Sequence, residues 1–173
     1  MKFKLIIVAI STFLLSSIAT QSFATGSHSG GNENSDAIGK PGKATNAKRT
    51  VKLEMLDTMR FNPQSITVKQ GETIKFIIKN SGKLKHEMVL GTEKELKEHA
   101  EVMKKNPEME HDDENQITVQ PGKSGEIIWQ FTKAGKVNFA CLQPGHYDAG
   151  MAGTVTVNKV KGYTHTHESA HNH

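Results

Sequence analysis

The sequence predicts an all-β protein, an antiparallel β-sandwich with one short helical insertion, and three features of the chain support this. Short segments in which apolar and polar residues alternate recur at regular spacing between residues 50 and 157. Turn residues such as Gln70-Gly71 and Pro121-Gly122 separate these segments. A single stretch, residues 92–105, has the period of a helix instead. Roughly six to eight short strands with regular turns are typical of a sandwich.

The strands are predicted from alternation at a period of two. In chain order they cover residues 50–56, 66–68, 74–78, 87–90, 116–119, 125–131, 136–141 and 154–157. We expect the second and third strands to form a hairpin around Gln70-Gly71, and the fifth and sixth to form another around Pro121-Gly122. No internal repeat is present, and the size of the chain without its predicted signal peptide is enough for one domain plus tails.

The helical insertion is predicted from its start, its apolar stripe and its end. Thr92 can cap the helix because Glu95 follows three residues later, the pattern of a capping box. The apolar residues that fall on one helical face are Leu96, Ala100 and Met103. Asn106-Pro107 should end the helix, because proline cannot continue it.

Both ends of the chain are predicted to lie outside the domain. Lys2 and Lys4 precede a short apolar run, and Ser22-Phe23-Ala24 offers small residues to a signal peptidase, so residues 1–24 are predicted to be a secretory signal peptide. A retained membrane anchor is the alternative, but the apolar run is shorter than the roughly 20 residues that a spanning helix needs. Residues 25–47, rich in Gly, Ser and Asn, are predicted to be a flexible linker.

The remaining chain is expected to be one domain, residues 48–158, with a tail over residues 159–173. After cleavage it should have no membrane segment and lie outside the cytoplasm. The formal net charge is +4, and loss of Lys2 and Lys4 with the signal peptide (4 − 2) leaves about +2. A charge this small and evenly mixed argues against a nucleic-acid partner.

The single cysteine, Cys141, has no partner for an internal disulfide. It opens a C-x4-H-x4-M pattern with His146 and Met151, placed between two predicted strands. Thiolate, imidazole and thioether are soft ligands suited to copper, and two His with one Cys and a weak axial Met form the blue-copper arrangement. His86, at the start of a strand, can supply the second imidazole. A nucleophilic Cys–His pair and a zinc site are the alternatives, but neither uses the thioether.

The domain resembles the cupredoxin family. The motifs that carry the resemblance are F-N-P-x-x-I-x-V-x-x-G-x-x-I-x-F from Phe61, N-x5-H ending at His86, and C-x4-H-x4-M. The loop from Cys141 to His146 is similar to that of azurins and auracyanins, and the whole domain is similar to small periplasmic cupredoxins linked to copper tolerance. The resemblance implies a Greek-key sandwich in the periplasm, with one type 1 copper ion held by four ligands: His86, Cys141, His146 and Met151.

At one position the chain differs from the better-known cupredoxins. Azurin, plastocyanin and pseudoazurin carry Asn directly after the first His ligand, where its side chain helps to fix the cysteine loop. This chain has Glu87 there. Groups next to metal ligands tune the metal affinity and the reduction potential, so the replacement of Asn by Glu87 concerns the copper site directly.

Two further regions contain candidate copper ligands. The tail carries four histidines in a short polar stretch: His165, His167, His171 and His173. Such tracts bind metal as neutral imidazoles, although a solvated tail without metal is the alternative. The segment after the helix offers Met109 and His111 as soft ligands for Cu(I). Met103 lies on the apolar stripe and is expected in the core.

The residues beside Cys141 bear on function. Multicopper oxidases need His on both sides of the Cys ligand, whereas here Ala140 and Leu142 flank it, so the chain is not expected to be an enzyme. Its one-electron Cu(I)/Cu(II) chemistry fits copper tolerance and homeostasis, which the resemblance and the tail favour. The alternative is a soluble electron carrier between respiratory partners such as a cytochrome or an oxidase.

Overall fold

The computed structural model describes residues 35–109 and 113–162. In chain order the elements are α1 (Ser35–Ile38), β1 (Lys40–Pro41), β2 (Arg49–Leu56), β3 (Arg60–Asn62), β4 (Ser65–Lys69), β5 (Thr73–Asn80), β6 (His86–Gly91), α2 (Glu93–Lys105), β7 (Gln116–Val119), β8 (Ser124–Gln130), β9 (Gly135–Ala140) and β10 (Ala152–Asn158). A short 3-10 helix, Ala44–Asn46, lies between β1 and β2.

The strands form two sheets, and this confirms the predicted β-sandwich with one helical insertion. One sheet has the order β1-β8-β5-β2-β3 and the other has the order β4-β10-β9-β6-β7. The sheets are mixed rather than purely antiparallel, because β2 pairs with β5 and β4 pairs with β10 in parallel. The parallel pairs arise where the chain leaves one sheet and returns to it later. Alternation of apolar and polar residues along a single strand does not predict which strand it pairs with.

The two predicted hairpins are wrong. β4 pairs with β10, whereas β5, directly after it in the chain, pairs with β2 and β8 in the other sheet. β7 and β8 are divided between the sheets in the same way. The backbone N–H of Gln70 donates to Asn158 in one sheet, and that of Gly71 donates to Phe131 at the end of β8. This turn therefore carries the chain across the sandwich.

The core lies between the sheets and is filled by the apolar face of each strand. In β4 the residues alternate between exposed and buried, with Ile66 and Val68 inward. Aromatic rings from the two sheets meet edge to face: Phe61 and Phe139 have centroids 5.0 Å apart. Burying such side chains stabilises the fold by about 1.5–3 kcal/mol each.

The helical insertion forms as predicted, over Glu93–Lys105. Thr92 accepts a hydrogen bond from the Glu95 backbone N–H, and the Glu95 carboxylate accepts one from the backbone N–H of Thr92. The buried stripe packs in a second small core with residues of β6, β9 and the following loop: Leu96, Ala100, Met103, Val89, Ala140 and Leu142. α2 therefore supports the loop that follows β9.

Residues 35–47 differ from the flexible linker predicted for 25–47, whose first part lies outside the described residues. β1 pairs with the edge of β8, and the backbone N–H of Gly42 donates to the carbonyl of Ile128 at 2.9 Å. Ile38 is buried, and its carbonyl accepts a hydrogen bond of 2.7 Å from Trp129 Nε1. The polar composition of this segment gave no indication of a strand, because β1 pairs through backbone groups and only one apolar side chain, that of Ile38, is buried beside it.

The predicted signal peptide, residues 1–24, and the histidines of the tail lie outside the described residues. Within residues 35–109 and 113–162, no helix has the length and apolar character needed to cross a membrane.

Candidate metal centre

The loop between β9 and β10, residues 141–151, folds back on itself at one end of the sandwich. β9 and β10 are neighbours, with Ala140 opposite Ala152, so the two ends of the loop are close together. The backbone N–H of Cys141 donates to the Met151 carbonyl, and the N–H of Met151 donates to the His146 carbonyl, both at 3.0 Å. Gly145 adopts a φ of 82°, a conformation that favours glycine, directly before His146.

Three of the predicted ligands come together in space. His86 Nδ1 lies 3.2 Å from His146 Nδ1, and Cys141 Sγ lies 3.3 Å from His146 Nδ1 and 3.9 Å from His86 Nδ1. Among the described residues, this trio is the cluster of His, Cys and carboxylate groups able to hold a metal ion, with donor atoms within 4.8 Å of one another. His86 and Cys141 are buried, whereas His146 is partly exposed.

The spacing of these donors fits a single ion in a trigonal plane. With bonds of about 2.0 Å to nitrogen and about 2.3 Å to sulfur, as for zinc, the nitrogens would lie about 3.5 Å apart and each nitrogen about 3.7 Å from the sulfur. The three observed separations, from 3.2 to 3.9 Å, bracket these values. Both imidazoles present Nδ1, so no ring must turn over to reach a common ion.

Met151 joins the site through its backbone and its burial. Its carbonyl and N–H bond to Cys141 and His146, and its side chain is fully buried in the core cluster that includes Cys141. Its thioether is the kind of donor that, with two imidazoles and a thiolate, makes a soft set suited to copper rather than to hard cations.

Burial sets the protonation of the donors in the copper-free protein. It raises the pKa of the Cys141 thiol to about 12, against the smaller opposing effect of the Glu87 backbone N–H. Burial also lowers the pKa of His146, and the neighbouring His86 lowers it further. The copper-free site therefore holds a neutral thiol beside a neutral His146 at pH 7, and metal binding must displace the thiol proton.

Glu87 fixes the cysteine loop. Its carboxylate accepts hydrogen bonds from the backbone N–H of Leu142 at 2.9 Å and from Gln143 Nε2 at 3.1 Å. Its own backbone N–H donates to Cys141 Sγ at 3.4 Å. Glu87 thus occupies the place where Asn holds this loop in azurins, but it brings a carboxylate, and the residue is only 6% exposed.

Asp57, in the turn after β2, and Arg60, the first residue of β3, make two contacts to the site that no local pattern in the sequence indicates. Asp57 Oδ1 lies 3.0 Å from His86 Nε2. Arg60 Nη1 donates to the carbonyl of Ala149, in the loop that leads to Met151, at 2.8 Å. Neither residue belongs to a recognisable sequence motif, so only the fold brings them to the site.

Of the other candidate ligands, the part of the chain that the structure describes includes Met109. Met109 lies just beyond α2 and is 40% exposed, whereas Met103 is buried in the small core under that helix, as predicted. His111 and the tail histidines, His165, His167, His171 and His173, lie outside the described residues.

Two sheets packed as a sandwich, with a His-Cys-His cluster where β6 meets the loop after β9, define the class of copper proteins called cupredoxins. The chain belongs to the plastocyanin/azurin family of copper binding proteins, whose sequence model matches residues 47–158. The cluster together with the family supports a type 1 copper site, as predicted. Cupredoxins are generally electron carriers.

Relatives and solved structures agree with this placement. The chain is 55% identical over 119 residues to the copper-resistant cuproprotein CopI of Rubrivivax gelatinosus, an alignment that covers 69% of this chain and 72% of the relative. It is 39% identical over 150 residues to CopI of Pseudomonas aeruginosa, covering 70% of this chain and 82% of the relative. A reduced auracyanin of Roseiflexus castenholzii shares the fold with a TM-score of 0.55 and 25% identity, over 65% of this chain and 98% of that one.

Proposed function

We propose that the chain is a periplasmic type 1 copper protein that serves copper tolerance, with one copper ion held by His86, Cys141, His146 and, as the weak axial ligand, Met151. The observation that carries the assignment is the trio of donors within 4.8 Å of one another. The family supports the metal, and the relatives named copper-resistant cuproproteins support the physiological role. The periplasmic location rests on the predicted signal peptide and on the resemblance.

Bound copper would supply one-electron chemistry between Cu(I) and Cu(II). The protein's part is to hold the donors in one arrangement in both states, so that little has to move when the charge changes. His86 and Cys141 are anchored from β6 and β9, Met151 is buried, and the loop is tied by Glu87. His146 is the one of the four that reaches solvent, and it offers the route for electron exchange.

An absorption and EPR spectrum of the Cu(II)-loaded protein tests the assignment. We expect a strong thiolate-to-copper charge-transfer band in the visible region, lost in Cys141→Ser. Met151→Leu should keep the band and bind copper, but with a shifted potential, because the axial ligand tunes the potential rather than holding the ion. A wild-type protein that binds Cu(II) without such a band would contradict the assignment.

The second candidate function is electron transfer between respiratory partners, such as a cytochrome and an oxidase. The partly exposed His146 favours it. Fast exchange with such a partner that survives deletion of residues 162–173 would support the carrier. Copper sensitivity of cells that lack the gene, with normal respiration, would support tolerance.

We propose that the chain is not itself an oxidase. Ala140 and Leu142 flank Cys141 and are buried in the small core against α2. Neither can supply the imidazoles through which multicopper oxidases connect this cysteine to a trinuclear cluster. The test is the rate of oxygen consumption with excess Cu(I), measured for the copper-loaded wild type and for Cys141→Ser. A faster rate in the wild type would contradict this proposal.

Additional copper sites are proposed for the tail, at His165, His167, His171 and His173, and for the segment containing Met109 and His111. Imidazole and thioether donors in short polar segments bind copper without a folded core. Copper stoichiometry before and after deletion of residues 162–173 measures the contribution of the tail. A stoichiometry of one copper in both forms would restrict the protein to the buried site.

A further inference from the structure

We propose that Asp57 is a positioning residue of the copper site, whose carboxylate orients the His86 imidazole and whose negative charge favours Cu(II) over Cu(I). The inference rests on the proposed function, because it takes His86 as a copper ligand. It adds to that function a determinant of the redox balance that lies outside the four ligands.

The contact between Asp57 and His86 decides which ring nitrogen carries the proton. Asp57 Oδ1 lies 3.0 Å from His86 Nε2, and an ionised carboxylate can only accept a hydrogen bond. Nε2 of His86 is therefore the protonated nitrogen. Its Nδ1, which faces Cys141 and His146, keeps a free lone pair. This is the tautomer that a metal ion in the cluster requires.

The carboxylate of Asp57 is itself held in a cradle built by another part of the chain. The backbone N–H of Lys83 donates to Oδ2 at 2.7 Å, and that of Leu84 donates to Oδ1 at 3.3 Å. Gly82 completes the cradle, because a Cβ at that position would overlap the carboxylate. The loop between β5 and β6 thus fixes the orientation of Asp57, which an ordinary surface aspartate would not have.

The charge of this pair acts on copper through a buried imidazole. His86 is fully buried whereas the Asp57 side chain is 35% exposed, so little water separates the carboxylate from the ligand ring. A carboxylate on the far side of a ligating imidazole raises its basicity and stabilises the more positive metal ion. The expected result is a lower reduction potential than a neutral hydrogen-bond partner would give. Glu87 differs, because its carboxylate contacts Leu142 and Gln143 rather than a ligand ring.

The first test uses the copper-free wild-type protein and nitrogen NMR of its histidines. We expect the neutral ring of His86 to carry its proton on Nε2 and not on Nδ1. Protonation on Nδ1 would overturn the proposal, whatever the variants do. This measurement requires neither copper nor a substitution, so it stands even if a variant fails to fold.

The second test compares Asp57→Asn with Glu126→Gln. Both remove one negative charge, but Glu126 is exposed, pairs with Lys75 and does not contact the site. For Asp57→Asn we expect Cu(II) affinity to fall by about 10–100-fold, with a smaller loss for Cu(I). The reduction potential should rise by about 59 mV for each factor of ten by which the loss of Cu(II) affinity exceeds the loss of Cu(I) affinity. Glu126→Gln should keep the wild-type affinities and potential.

The outcomes separate this inference from the proposed function. A wild-type protein without the charge-transfer band would contradict the ligand assignment itself. A wild-type protein with the band, together with an Asp57→Asn variant that folds and keeps the wild-type potential and Cu(II) affinity, would overturn only the role of Asp57. Equal shifts in Asp57→Asn and Glu126→Gln would also overturn it, since they would show a general effect of charge.

Discussion

Cys141 is inert as a free thiol because it is buried, and this burial couples copper binding to pH. The raised pKa, about 12, leaves the thiol protonated throughout the neutral range. A thiolate is required to bind copper, so one proton must leave Cys141 when the ion enters. The pKa of His146 is lowered by burial, so this imidazole is already neutral above pH 7 and releases none.

This coupling predicts that Cu(II) binding releases one more proton in the wild type than in Cys141→Ser. Between about pH 7 and 9, the apparent affinity of the wild type should therefore rise about tenfold more per pH unit than that of the variant. Calorimetry in buffers with different ionisation enthalpies counts the protons. Equal proton release by the two proteins would contradict binding of copper by the Cys141 thiolate.

The same pKa also predicts how stability depends on pH in the copper-free protein. The folded state holds the thiol proton more tightly than the unfolded chain, in which the pKa of the thiol is near its ordinary value of 9.0. The stabilisation is complete below about pH 9 and is lost as pH rises from there towards about 12. Unfolding of the wild type should thus become easier over this window relative to Cys141→Ser, as measured by urea titration at each pH.

At the scale of elements, β6 and the loop after β9 form one unit. β6 is buried along its whole length. Successive residues of a strand face opposite sides, so His86 and Glu87 are presented to different parts of the loop. His86 lies against Cys141 and His146, whereas Glu87 binds the backbone of Leu142. Of these two neighbouring residues, His86 is a proposed ligand, and Glu87 holds the loop that carries the other ligands.

We predict that Glu87→Ala destabilises the copper-free fold by about 1–3 kcal/mol, because it leaves the Leu142 N–H and the buried Gln143 amide without their acceptor. Cys141 should also become more reactive towards a thiol reagent as its loop loosens. Urea unfolding and the alkylation rate measure the two effects.

The matched control is Glu126→Ala, which removes an exposed carboxylate and should stay within about ±0.5 kcal/mol of the wild type. Equal losses in the two variants would show that Glu87 does not hold the loop.

At the scale of the whole molecule, the sandwich extends beyond the family match over residues 47–158. β1 covers the edge of β8, which would otherwise expose unpaired backbone groups. Ile38 is buried beside Trp129, and their hydrogen bond satisfies the indole N–H. The segment before residue 47 therefore completes one of the two sheets.

We predict that a shortened chain beginning at residue 48 is less stable than one beginning at residue 35. Loss of the buried Ile38 side chain alone should cost about 1.5–3 kcal/mol, and the indole of Trp129 should become exposed. Trp129 is the only tryptophan of the chain, so its fluorescence reports the change directly. Identical emission and identical urea midpoints for the two chains would contradict a structural role for residues 35–47.

Local sequence signals predicted the parts of the fold that depend on neighbouring residues. The capping box of Thr92 and Glu95 and the apolar stripe of α2 are set within a few turns of one helix, and both formed as predicted. The strands were recognised because alternation at a period of two requires one buried face. Their pairing was not, since β4 and β5 have the same apolar pattern whether they lie side by side or face each other across the core.

Local patterns in the chain establish the class of fold and three of the soft donors, because Cys141, His146 and Met151 need only one loop between two strands. The surroundings of those donors depend on contacts between residues that are distant in the chain. Asp57 reaches His86 across 29 residues of chain, and Glu87 reaches Leu142 across 55. Contacts over such separations follow from how the two sheets pack, and no local pattern in the chain encodes them.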